Sequence, residues 1–195
     1  MKRLLPSFAL LATIALPSGA LAQGAAAATA APVNYWGLAL ALLGAALATL
    51  LPCTGSSIGV SMVGQAGSGL LTEKPELAGK VITLAVLPGS QGLYGMVISL
   101  LFLFSFGGPL LSGKVSLDLP AGIALFAAFM PVAIAAATSA PAQGKVCAAG
   151  MHMLARDSRL AGRVITLAAL VETYALLGFL ISFFMLNALK SSLLA

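Results

Sequence analysis

Four apolar runs, at residues 35–71, 79–106, 119–154 and 162–189, set the limits on what this chain can become. At 1.5 Å per helical residue, each is long enough to cross roughly 30 Å of hydrocarbon. Of the 195 residues, 60% are hydrophobic and 8% are charged, whereas a soluble domain carries roughly 25% charged residues. Fifteen charged side chains are too few to cover a water-facing surface or to keep a chain disordered. The chain therefore reads as an all-α membrane protein. Its net charge of +5 does not point to nucleic acid, because the ten basic residues are scattered between apolar runs with few aromatics interleaved for base stacking.

Two short polar turns join the runs in pairs, TEKPELAGK at 72–80 and ARDSRLAGR at 155–163. Residues 77–87, LAGKVITLAVL, match residues 160–170, LAGRVITLAAL, at nine of eleven positions, and the 83-residue offset extends without gaps to Gly67 with Gly150 and Gly95 with Gly178. The chain is a duplicated helical hairpin of four spanning helices. Lys74, Lys80, Arg156, Arg159 and Arg163 crowd the two turns, whereas the connection at 107–118 holds only Lys114 against Asp118. Positive charge favours the cytoplasm, so both turns are expected there and both mature termini outside.

The organisation expected is a signal peptide at 1–22, an Ala/Gly-rich linker at 23–34, a first hairpin at 35–106, a connecting loop at 107–118, a second hairpin at 119–189 and a tail at 190–195. Lys2 and Arg3 supply a positive end, Leu4 to Leu16 an apolar centre, and Ala20-Leu21-Ala22 a small-x-small cleavage site. The competing reading keeps residues 4–22 as a fifth, short helix, weakened by Pro6 and Pro17. Gly108 to Lys114 has the spacing of a phosphate loop, but Val115 stands where a Mg²⁺-binding hydroxyl is needed, and no nucleotide site follows. Cys53, Cys147 and His152 lack the companion ligands of a structural metal site. Small residues form stripes, Gly55, Gly59 and Gly67 in the first run and Ala137, Ala140, Gly144 and Cys147 in the third. They fit either close packing inside one subunit or the narrow inner wall of a ring of subunits.

Of five acidic residues, only Glu172 sits within an apolar run. An isolated charge there costs roughly 2.5–3.5 kcal/mol on insertion scales, so it is a functional candidate by default. Counting outward from the turns places Gln143 and Glu172 at one depth, and the repeat aligns Glu172 with Gly89, beside Ser90 and Gln91. Leu87, Ser90, Gln91 and Tyr94 share one face of the second helix. Pro88 has no N–H for the Leu84 carbonyl, so backbone oxygen becomes available nearby. Either these polar groups only join helices through hydrogen bonds, or they supply oxygens around a hard monovalent cation whose charge Glu172 balances. Surplus oxygens favour Na⁺ over H⁺. Glu172 aligned with Gly89 also means one acid, and so one ion, per four-helix subunit.

The strings LPGSQGLYG (87–95), AQGKV (142–146) and VETYALLGFLISF (171–183), with LAGK and LAGR in the two turns, resemble the proteolipid ring subunit of V-type rotary ATPases, of the bacterial subunit K type. The resemblance covers roughly residues 36–189. It implies a closed ring of identical subunits, with Glu172 as ion carrier, Ser90, Gln91 and Gln143 as side-chain ligands, Leu87 as a backbone-oxygen ligand, and Tyr94 closing the site by a hydrogen bond to Glu172. It implies Na⁺, or H⁺, as cargo during ATP-driven transport, no catalytic site in this chain, and a membrane stator subunit, a cytoplasmic central-stalk subunit and lipid as partners. Ser90 departs from the threonine usual in sodium-binding relatives, keeping the hydroxyl and losing a methyl. Lys145, two residues beyond Gln143, points to another helix face and has no expected ligand role. The alternative function is a small secondary transporter or channel-forming proteolipid using the same glutamate, although the two repeats begin on the same side rather than inverted.

Overall fold

The computed structural model describes residues 35–111 and 116–193. The expected signal peptide and linker lie outside them. Four long helices carry the fold: α1 (Tyr35–Glu73), α2 (Pro75–Leu110), α3 (Leu119–Arg156) and α4 (Ser158–Leu193), with no strand among the described residues. Asp118 caps α3, its side chain accepting from the Ala121 N–H at 2.9 Å. Helix α2 is not uniform. A one-turn 3₁₀ segment at Leu87–Gly89 interrupts it where Pro88 removes a backbone donor, and a π-helical turn at Leu103–Gly107 follows. Helical structure then continues through Leu111, into the segment read from sequence as connecting loop.

The two hairpin turns are built alike. Lys74 N–H donates to Leu70 O and Leu77 N–H to Lys74 O, and 83 residues later Asp157 N–H donates to Met153 O and Leu160 N–H to Asp157 O. Lys74 and Lys80 then reach across to the carbonyls of Ala155 and Ser158, joining the first turn to the second. Lys74 there complements the exposed carbonyls at the C-terminus of α3. Within the second turn, the Arg159 side chain and backbone N–H both donate to Asp157 and hold its carboxyl below the usual carboxylate range. That local support is present above the ordinary carboxylate pKa and fades as pH falls through the lowered one.

Close helix contact follows from glycine. Gly55 and Gly59 of α1 lie against the backbone of Ala137, Ala140 and Gly144 of α3, so the small-residue stripes pack against each other inside one chain. Residue numbers rise together along this contact, so α1 and α3 run parallel and the two hairpins are not inverted. Gly67 departs from the stripe and receives Val81 of α2, as Gly150 receives Val164 of α4. Proline adds a second device. Pro52 has no N–H for the Ala48 carbonyl and Pro141 none for that of Ala137; these two oxygens lie where a Cβ would stand on Gly95 and Gly55. A methyl group at either glycine would push the helices apart.

Two apolar clusters fill the interior. One, around Phe102, Phe106, Leu125 and Phe129, occupies the half away from the turns; the other, around Val63, Leu84, Met151 and Leu154, occupies the half beside them. Much apolar surface stays outside, with Ile82, Leu93, Phe104, Leu170, Leu177 and Phe184 each 56–82% exposed. Such a surface needs lipid or further protein to cover it.

Gly95→Ala is expected to destabilise the protein by about 1–3 kcal/mol, the usual cost of overpacking. Gly69, with nothing near its missing Cβ, serves as the control, and Gly69→Ala should be neutral or slightly stabilising. Thermal unfolding of the two detergent-solubilised variants checks both.

Candidate functional site

Between the two apolar clusters the four helices share one polar layer. Its centre is Glu172, half-buried on α4, about 21 Å along the helix from Ser158 at 1.5 Å per residue. Three donors from two other helices converge on its carboxylate. Ser90 Oγ donates to Oε1 at 2.8 Å, the Tyr94 hydroxyl donates to the same oxygen, and Gln143 Nε2 lies 3.4 Å from Oε2. Ser90 and Tyr94 reach it from one face of α2 because they are four residues apart, one helical turn.

Behind the carboxylate, Gln91 and Gln143 are fully buried and hydrogen-bonded to one another, Gln91 Nε2 donating to Gln143 Oε1 at 2.6 Å. Gln143 Nε2 also donates to the Ala168 carbonyl at 3.0 Å, which fixes the orientation of its amide. The Gln91 carbonyl oxygen is left toward Ser90, 3.4 Å from Oγ. The 3₁₀ turn supplies a fifth oxygen, since Leu87 O accepts from the Ser90 N–H and lies 3.0 Å from Ser90 Oγ. Every candidate from the sequence is therefore in one place: Glu172, Ser90, Gln91, Gln143, Tyr94 and the Leu87 carbonyl. The set is rich in oxygen and carries one negative charge when Glu172 is ionised, a composition suited to a hard monovalent cation.

Two participants were not legible beforehand. Ser56 of α1 accepts from the Gly92 N–H at 2.9 Å, supporting the backbone just beyond the 3₁₀ turn. Its neighbour Ser57 is exposed, so only knowledge of which face α1 presents separates the two serines. The Ala168 carbonyl is the other, and a backbone acceptor leaves no mark in a side-chain pattern. Lys145 and His152 are exposed on α3 and take no part, while Cys147 is buried in the cluster beside the turns. Tyr94 packs on Phe179 of α4, ring centroids 5.8 Å apart, which holds its hydroxyl toward Glu172.

Comparison with known proteins gives a consistent picture. The family model for the ATP synthase C subunit matches twice, at residues 43–102 and 126–185, the same 83-residue offset read from the turns. The V-type sodium ATPase subunit K of Enterococcus hirae is 42% identical over 153 residues, covering 78% of this chain and 94% of the relative. The A-type ATP synthase subunit K of Methanocaldococcus jannaschii is 34% identical over 149 residues, 76% of this chain and 62% of the relative.

Ser56→Ala leaves the buried Gly92 N–H without its acceptor, an omission costing about 1–3 kcal/mol. Faster amide hydrogen exchange at residues 92–95, with exchange in α4 unchanged, is the expected result.

Proposed function

The chain belongs to the ATP synthase C subunit family, as a V-type proteolipid of the subunit K kind, and from that premise we propose that each copy carries one monovalent cation on Glu172, Na⁺ ahead of H⁺. It is a rotor-ring subunit of a V/A-type ATPase and a multi-pass membrane protein. The observation that carries the proposal is the convergence of Ser90, Tyr94 and Gln143 on the one acidic side chain that, among the described residues, lies away from the span ends.

In the loaded state Glu172, Ser90 Oγ, the Gln91 and Gln143 carbonyl oxygens and Leu87 O replace the water shell of the cation. Tyr94 donates to Glu172 and closes the site toward the outer surface. One carboxylate balances one monovalent charge, so the loaded subunit is neutral at this layer and able to face lipid. Release requires Glu172 to lose this neutrality, which a charged partner on the membrane stator subunit would favour. A proton needs one carboxylate oxygen and one or two hydrogen bonds, whereas this layer gathers four further oxygens, and that surplus favours Na⁺. The sodium specificity in the name of the Enterococcus relative supports the same choice.

In this reading ATP hydrolysis belongs to other subunits, and the turns face the cytoplasm to grip the central stalk. Residues 1–22 are a cleaved signal peptide, 23–34 a linker, and both mature termini lie outside. The two turns carry five basic and three acidic side chains, with Arg156 and Arg159 exposed.

Glu172→Gln should abolish ion transport while the ring still assembles, because the amide is nearly isosteric and cheaper to bury. In the unmodified complex Na⁺ should slow carbodiimide modification of Glu172 at constant pH. Labelling governed by pH alone would assign the site to H⁺, and transport by an assembled Glu172→Gln complex would remove Glu172 from the carrier role. Gln91→Ala and Gln143→Ala should each weaken that Na⁺ protection.

Charge reversal at Arg156 and Arg159 should uncouple ATP hydrolysis from transport and leave Na⁺ protection unchanged. Coupling at the native level would place the stalk contact elsewhere.

A further inference from the structure

Helices α2, α3 and α4 supply the groups gathered at Glu172, and α1 contributes none of them, yet it holds the backbone beside one. Gln91 stands two residues after the 3₁₀ turn at Leu87–Gly89. Pro88 brings no backbone donor and Gly89 no side chain, so α2 itself does little to anchor Gln91 from that direction. In the other direction the next N–H, that of Gly92, donates to Ser56 Oγ of α1 at 2.9 Å, a buried bond between helices. Glycine at 92 admits the serine. A Cβ there would stand 3.3 Å from Ser56 Oγ and 3.4 Å from Cys53 Sγ, crowding both. The Gln91–Gly92 peptide is thus held from α1, and it carries the Gln91 side chain into the polar layer.

The duplication supplies a comparison inside one molecule. Under the 83-residue offset Ser56 corresponds to Ser139, Pro88 to Val171, Gln91 to Tyr174 and Gly92 to Ala175. Both serines are buried. Helix α4 runs unbroken from Ala161 to Leu193, so the Ala175 N–H keeps its place in the helical ladder. Ser139 Oγ stays with its own helix, 3.4 Å from Ala136 O. The serine therefore stands in both halves, and it reaches a neighbouring helix in the half whose proline disturbs the ladder and whose glutamine enters the polar layer.

We propose that Ser56 is a positioning residue for the transported cation: by holding the Gln91–Gly92 peptide it sets where the Gln91 carbonyl oxygen stands, and with it the affinity for Na⁺ relative to H⁺. The inference rests on the proposed carrier role of Glu172. Its chemical basis is that the two cargoes use different groups. Ser90, Tyr94 and Gln143 meet the Glu172 carboxylate, whereas Gln91 bonds to Gln143 and not to the carboxylate. A proton on Glu172 has no use for the Gln91 oxygen, but a cation stripped of its water shell does. Releasing the Gln91 backbone therefore weakens the Na⁺ form and spares the protonated one.

The test reads Na⁺ binding and proton binding separately, by carbodiimide labelling of Glu172 in assembled complexes of native mass. Ser56→Ala should raise the Na⁺ concentration for half-protection about tenfold, the scale of one buried hydrogen bond. The pH of half-maximal labelling without Na⁺ should stay at its native value. Ser139→Ala is the control, and neither readout should move. Because Ser56 acts through Gln91, adding Ser56→Ala to Gln91→Ala should weaken protection no further. A general loosening of the bundle would instead add to the Gln91→Ala effect and shift both readouts. An unmoved Na⁺ requirement in Ser56→Ala, a shifted labelling pH, an equal effect of Ser139→Ala, or an undiminished effect on the Gln91→Ala background each overturns the proposal. Absence of Na⁺ protection in the native complex is a different failure, one that removes Na⁺ from the carrier role and this inference with it.

Discussion

A carboxylate in hydrocarbon has to be answered by other groups, and the arrangement of three helices around Glu172 follows from that requirement. The cost of placing a charge there is roughly 2.5–3.5 kcal/mol even on the mildest scales. Ser90, Tyr94 and Gln143 meet it with donors from α2 and α3, and each of those is itself held: Ser90 by the Leu87 carbonyl, Tyr94 by the Phe179 ring, Gln143 by Gln91 and the Ala168 carbonyl. A half-satisfied layer would be worse than an apolar one. Among the described residues no buried side-chain nitrogen or oxygen lacks a partner.

Bringing those donors within reach demands helices closer than ordinary side chains permit. Glycine removes the obstruction, and proline turns backbone carbonyls toward the neighbour at Ala48 and Ala137. Without water or a hydrophobic driving force between helices, such van der Waals contact is what holds a membrane bundle together. Pro88 extends the same logic to the site. The 3₁₀ turn it imposes frees backbone at the level of Glu172, and Ser56 takes up the Gly92 N–H so that the freed segment keeps a fixed shape. Packing and site chemistry thus share one cause, a backbone that departs from the regular helix where another helix is near enough to use it.

Depth along the helices was legible in the sequence, and orientation about them was legible only in part. Counting residues from the turns puts Gln143, Glu172, Ser90 and Gln91 at one level because rise per residue is nearly constant, and the structure brings those side chains together. The duplication, the turns and the parallel hairpins follow from the repeat itself. What the sequence left open was which face of each helix meets which neighbour. Gly55, Gly59 and Gly67 read as one stripe, yet the first two receive α3 and the third receives Val81 of α2. Ser56 and Ser57 differ by 100° of helical turn, and nothing in their composition separates a backbone support from an exposed hydroxyl. Almost every position being apolar, the contrast that marks the inner face of a soluble helix is missing here.

The duplication also has an energetic consequence, because the two halves diverged at the one position where a second charge would have stood. Gly89 occupies it, with only Val60 of its own chain near the missing Cβ. On the proposed reading each set of four helices moves one ion. A ring with a given number of helices then moves half as many ions per turn as one with an acid in every hairpin, and each ion receives twice the energy of a turn. Every 100 mV opposes a monovalent cation by roughly 2.3 kcal/mol, so the limiting potential against which the same ATP supply can pump doubles as well. A glycine in place of the second glutamate therefore suits a rotor that exports against a steep gradient, while a rotor driven by the ion gradient would need a larger one to turn.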